Sequence, residues 1–190
     1  MVSTGADART FDELLSVIAD GGKPKYLLFW GHQPSPAGGA GKGCLSQWWP
    51  AAFTVDGVRY ATAEHYMMAA KATLSGDAEA VAKILAAPHP GEAKALGRQV
   101  RGFDEQRWAE HRFEAVIAGN TAKFSQHPQL RDFLAQTGSR VLVEASPHDR
   151  VWGIGLTADD ERAASPASWL GLNLLGFALM EVRQRLLRAW

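Results

Sequence analysis

The sequence predicts an α+β fold, predominantly helical, in one compact domain with a few short strands and a β-hairpin. Three observations carry that expectation. Two short apolar runs at residues 26–30 and 140–145 have strand character, Asp56-Gly57 joins two further β-like runs, and most of the intervening chain repeats apolar residues at helical spacing.

Residues 1–25 read as an N-terminal extension to a domain spanning 26–190. The extension is polar and glycine-containing except around Phe11, Leu14, Leu15, Val17 and Ile18, whose spacing allows a short amphipathic helix before Gly21-Gly22. Tyr26-Leu27-Leu28-Phe29-Trp30 is the first strand, closed by Gly31 and a Pro/Gly-rich loop over 34–43. Phe53-Thr54-Val55 and Val58-Arg59-Tyr60 flank Asp56-Gly57, a dipeptide suited to a two-residue hairpin turn. The hairpin feeds a helix within 60–72. Ser75 is the expected cap of a helix over 78–86, ended by Pro88 and Pro90, and a shorter helix over 92–100 follows. Asp104 caps a longer helix in which Gly119-Asn120 can introduce a bend. Residues 130–136 form another helix, stopped by Gly138, and 140–145 are the clearest strand of the second half. A polar turn, Ser146-Pro147-His148-Asp149-Arg150, then leads to Val151-Trp152-Gly153-Ile154-Gly155 and a C-terminal helix over 171–188.

At 190 residues, 46% of them apolar and 21% charged, the chain is long enough to bury a substantial core. Twenty basic side chains balance twenty acidic ones, so no global field draws it to nucleic acid or to an acidic membrane. One cysteine, Cys44, forms no internal disulfide, and no Cys/His spacing suggests a metal. A cytoplasmic protein without a signal peptide, membrane span or cofactor is the expectation. Gly38-Gly39-Ala40-Gly41-Lys42-Gly43 invites comparison with a phosphate loop, but that pattern needs glycine where Pro36 stands and Ser or Thr where Gly43 stands.

Four constellations could carry chemistry. Glu64 and Lys71 lie on one mostly apolar helical face, about 20° apart in direction and about 10 Å apart along the axis. A charge on such a face needs a partner or a purpose, so they either pair at the rim or serve a site. Asp149 either caps its own turn or meets a ligand beside Trp152, itself either core or a wall for a planar ring. Trp108 and Arg112 share a helical face to which Lys123 returns, and an arginine there suits a phosphate or carboxylate. Asn173, inside Gly171-Leu172-Asn173-Leu174-Leu175-Gly176, asks for a backbone partner or a ligand hydroxyl.

Taken together, Leu45-Ser46-Gln47-Trp48-Trp49-Pro50, the 60–72 helix with Glu64-His65, Lys123-Phe124, Asp149-x-x-Trp152-Gly153-Ile154-Gly155 and Gly171-x-Asn173 resemble the NADAR (YbiA-like) family from about residue 26 to 187. The resemblance implies N-glycosidase activity on ribosylated bases. One branch releases ribose 5-phosphate from early riboflavin-pathway intermediates, and others remove ADP-ribose from modified guanine. It implies functional carboxylates at Glu64 and Asp149, and aromatic and arginine positions at Trp108, Arg112 and Trp152. Where the family's first motif has Ser-Asn-Phe, this chain has Ser46-Gln47-Trp48, which lengthens the amide by one carbon.

Breaking a C1′–N bond builds positive charge on the ribose and negative charge on the departing base. Glu64 is the expected acid/base, Asp149 the group that holds a ribose hydroxyl and stabilises the cationic sugar. Lys71 is a second candidate, as a nucleophile that forms a Schiff base with the opened sugar. Gln47, Trp48, Trp108, Trp152 and Asn173 are the candidates for base and sugar contacts, with Arg112 and Lys123 for the 5′-phosphate. The alternative from another class is a non-catalytic ADP-ribose or nucleotide-binding module. The expected partner is a small phosphoribosyl or ADP-ribosyl substrate, with modified guanine in nucleic acid a further candidate and no membrane partner.

Overall fold

The computed structural model describes residues 4–35 and 38–188. Pro36, on which the phosphate-loop comparison turns, lies outside the described residues. The fold is predominantly helical, with seven α-helices, four short strands and three 3₁₀ turns among the described residues. The chain groups into two compact units, one formed by residues 1–46 and 129–190, the other by 47–128.

In the first unit, β1 (Tyr26–Phe29) pairs in parallel with β4 (Val141–Glu144), in the register Tyr26↔Val141 to Phe29↔Glu144. Parallel neighbours need a crossover, and here the crossover contains the whole of the second unit. Val141, Leu142 and Val143 are all buried, the continuous apolar pattern of a strand covered on both faces. The helix α7 (Leu174–Arg188) packs against β4. Its start falls three residues after the expected one because Asn173 takes a left-handed φ of 54°, which helical backbone does not allow. The expected extension contains α1 (Phe11–Ala19), capped by the Thr10 hydroxyl. Its Leu14 is wholly buried, so the segment contributes to this unit's core. α6 (Pro128–Gln136) ends near Gly138, whose φ of 59° reverses the chain into β4.

The second unit opens with the expected hairpin, β2 (Phe53–Val55) and β3 (Val58–Tyr60), with Asp56 and Gly57 both at positive φ. It leads into α2 (Ala63–Leu74), which packs on α3 (Ala78–Ala86), α4 (Pro90–Gly97) and α5 (Glu105–Gln126). Two glycines permit this close packing: a side chain at Gly97 would run into Met68, and one at Gly119 into the Tyr66 ring. Two local expectations are corrected. The cap of α3 is Asp77, not Ser75, because Asp77 Oδ1 accepts from Ala80 N and its carboxylate also receives Arg101. The helix expected over 92–100 is α4, where Pro90 opens the helix instead of only ending its predecessor, since a proline at the first helical position sacrifices no hydrogen bond. α5 runs as one unbroken helix through Gly119-Asn120.

Candidate active site

The candidate residues fall in both units, and each group has its own geometry. In the second unit, Thr62 caps α2 by accepting from His65 N, and its hydroxyl lies 2.8 Å from His65 Nδ1. His65 Nε2 stands 3.1 Å from the Ala87 carbonyl, which can only accept. Nε2 therefore carries the proton and Nδ1 accepts from Thr62. Burial pulls the imidazole below its ordinary pKa, which keeps it neutral. This neutral ring fixes the first turn of α2, where Glu64 sits at 2% exposure. The N-terminal end of a helix is a favourable place for a carboxylate.

Glu64 N donates to the Gln47 carbonyl at 3.0 Å, joining the Ser46-Gln47-Trp48 motif to the helix. The Gln47 side chain is buried, and its Oε1 accepts from Asn120 Nδ2 at 2.7 Å. Asn120 Nδ2 also donates to the Val116 carbonyl. Gln47 Nε2 is buried without a hydrogen-bond partner among the described residues, so it is a donor available to a ligand acceptor. Lys123 follows Asn120 by three residues on α5 and is wholly buried, its Nζ 4.9 Å from the Phe124 ring centroid. Trp48 is half-buried and lies over Gly91 at the start of α4.

Lys71, near the other end of α2, sits over the Phe103 ring at 3.8 Å from its centroid. Desolvation lowers its pKa, Glu105 opposes that shift and Arg98 adds to it. Glu105 Oε1 also lies 3.8 Å from Arg112 Nη1, so one acid influences both cations. Arg112 Nε is buried without a hydrogen-bond partner among the described residues, and Trp108 on the preceding turn is 8% exposed. The structure thus brings Lys71 and Arg112 together around Glu105, and Glu64 together with Gln47.

In the first unit, Asp149 caps its own turn: Oδ1 accepts from Val151 N at 2.9 Å and Trp152 N at 2.7 Å. Both contacts use one oxygen, which leaves Oδ2 clear of the turn. Asp149 and Trp152 are half-buried. The turn is joined to residues 172–175 by hydrogen bonds from Leu172, Asn173, Leu174 and Leu175 N–H groups to the carbonyls of Arg150, Gly153, Val151 and Trp152. Asn173 gives both ends of its amide to β4, Oδ1 accepting from Glu144 N and Nδ2 donating to the Leu142 carbonyl. Of its two expected kinds of partner, the backbone is the one observed. Ile154 N donates to the Glu144 carbonyl, so Asn173 and Ile154 together hold the Asp149 turn at the end of β4.

Phe103, Glu105 and Asn120 were not singled out from the sequence. Their roles depend on partners far along the chain, and only the polar Asn120 in an apolar run gave a local signal. Among the described residues, no three His, Cys, Asp or Glu side chains gather around a common ion position.

In the second unit Glu64 is a buried carboxylate at a helix start and Lys71 a lysine whose pKa desolvation lowers, and in the first unit Asp149 is an aspartate that caps its own turn. The chain belongs to the NADAR domain family, whose model matches residues 28–187. It is 42% identical over 165 residues to N-glycosidase R617 of Acanthamoeba polyphaga mimivirus, covering 84% of this chain and 95% of that protein. It is 34% identical over 139 residues to the riboflavin biosynthesis protein PYRR, chloroplastic, of Zea mays, covering 70% of this chain and 20% of that one. The NMR structure of the E. coli protein YbiA superimposes with a TM-score of 0.70 at 27% identity, covering 87% of this chain and 86% of that one.

Proposed function

We propose that this chain is an N-glycosidase that hydrolyses the C1′–N bond of a phosphoribosylated or ADP-ribosylated base. The observation that carries the reading is Glu64, a carboxylate 2% exposed, fixed at the first turn of α2 by its own N–H and the Gln47 carbonyl. Its role is to move the proton that the departing base needs or the attacking water gives up. Asp149, whose Oδ2 is clear of its capping bonds, holds a ribose hydroxyl and offsets the positive charge on the sugar. Gln47 Nε2 supplies a donor to the base or sugar, and Trp48, Trp108 and Trp152 supply flat apolar walls.

Arg112, with Lys123, is assigned to the 5′-phosphate; its buried Nε, without a hydrogen-bond partner among the described residues, supports that role. Lys71 offers a covalent route. Its depressed pKa increases the neutral amine available to attack C1′ of the ribosylated base. The Nζ–C1′ bond forms as the C1′–N bond to the base breaks, and the base leaves with a proton from Glu64. The sugar ring then opens to an imine on Lys71, and water hydrolyses that imine to free sugar and lysine. The domain is taken as residues 26–190 with 1–25 as its extension. We place its action in the cytoplasm, supported by a lone cysteine, Cys44, that is buried. The balance of twenty basic and twenty acidic side chains favours a small-molecule substrate over modified guanine in nucleic acid.

The test is incubation of the purified protein with riboflavin-pathway aminopyrimidine ribosides and with ADP-ribosylated guanine, followed by detection of free base. Release from either class supports the reading and selects the substrate. Tight binding of both without base release would make the chain a binding module instead.

A further inference from the structure

We propose that the groove between α6 and α7 binds a small organic carboxylate with a short aliphatic body, its anionic end taken by Arg183. The groove has a volume of about 240 Å³ and an apolar wall formed by Leu134, Ala135, Leu186 and Leu187. That is somewhat smaller than the ~300 Å³ at which drug-sized pockets begin, so the body it holds is short.

Arg183 lines the groove and is 3% exposed. Its guanidinium makes two hydrogen bonds, both through Nη1, to Thr137 Oγ1 at 2.8 Å and to the Arg140 carbonyl at 2.9 Å. Both acceptors are neutral, and among the described residues no carboxylate forms an ion pair with Arg183. Asp7, occupied at 2.6 Å by Gln184 Nε2, attracts it only from a distance, and Arg140 repels it. Burial lowers the Arg183 pKa to about 10, which leaves the guanidinium charged at neutral pH. A buried cation without an adjacent anion is costly, and a guanidinium presents a planar edge suited to a carboxylate. Among the described residues, the other two charges lining the groove are Arg131 and Asp132, whose Nε and Oδ1 lie 3.5 Å apart. They largely offset one another, so the groove keeps the positive character that Arg183 gives it. The aliphatic wall next to this charge selects an amphipathic anion over an inorganic one.

The experiment titrates the full chain with hexanoate and with hexanamide, a neutral molecule of nearly the same shape. Backbone NMR shifts in α6 and α7 report the binding. Hexanoate is expected to saturate those shifts, with hexanamide at least ~10-fold weaker. Because Arg183 variants also lose the Thr137 and Arg140 bonds, the informative variant is Leu187→Asp. Leu187 is 57% exposed, so this change is compatible with folding and places a carboxylate beside the groove to compete for Arg183. It should weaken hexanoate at least ~10-fold. Equal binding of hexanoate and hexanamide, unchanged affinity in Leu187→Asp, or no saturable shift in α6 and α7 below about 10 mM would each overturn the assignment.

Discussion

Asn120 donates through Nδ2 to Gln47 Oε1 at 2.7 Å, across 73 residues of sequence and in an interior where both side chains are buried. The same Gln47 accepts the Glu64 N–H through its backbone carbonyl. Asn120 therefore orients the residue that anchors the start of α2. Asn120→Leu should destabilise the fold by about 1–3 kcal/mol by leaving Gln47 Oε1 without its donor. Chemical denaturation measures that loss. In the surviving folded protein, base release should fall as well, since Gln47 is free to turn away; unchanged turnover would detach Gln47 from function.

Arg112 should discriminate by phosphate. Replacing it by alanine should weaken a 5′-phosphorylated substrate at least ~10-fold while leaving its dephosphorylated counterpart nearly unchanged. Comparison of KM for the two substrates decides the point, and equal losses would remove Arg112 from phosphate recognition.

Lys71 and Glu105 make a coupled prediction about pH. Glu105 raises the Lys71 pKa against the lowering effect of desolvation, so Glu105→Gln should lower it further. Borohydride trapping of a sugar adduct, if it requires neutral Lys71, should then extend to lower pH in Glu105→Gln than in the wild type. An absence of adduct during turnover in both proteins would eliminate the covalent route and leave Glu64 acting on water.

His65 should make stability depend on pH. Its folded pKa is lowered by burial, so the unfolded chain takes up a proton that the folded ring resists. The associated stability is fully present above the unfolded pKa of about 6.5 and is lost as pH falls below it. Urea unfolding between pH 8 and pH 5 should show wild type losing stability relative to His65→Gln across that window. Parallel profiles would mean that His65 does not contribute the expected linkage.

These relationships differ in how far the sequence disclosed them. Asp56-Gly57 announced the hairpin and Asp104 the start of α5, because turn and cap chemistry is local. The strand character of residues 26–29 and 141–144 was legible, but their parallel pairing was not, since it joins segments separated by the whole second unit. Ser75 concealed the true cap because Asp77 gains Arg101, 24 residues away, as well as its local Ala80 bond. Within the candidate site, the Trp108/Arg112 face followed from helical spacing. Glu105 and Phe103 were silent because what they do depends on Lys71, brought beside them by the packing of α2. Asn173 advertised a need for partners, and only the fold showed them to be the backbone of β4.

The most direct test compares base release by wild type and Glu64→Gln on the substrate that the wild type turns over fastest. Thermal unfolding verifies that both proteins are folded. The account predicts that the amide, which can neither accept nor return the proton, lowers turnover at least ~100-fold while the fold survives. Base release at the wild-type rate from folded Glu64→Gln would contradict it.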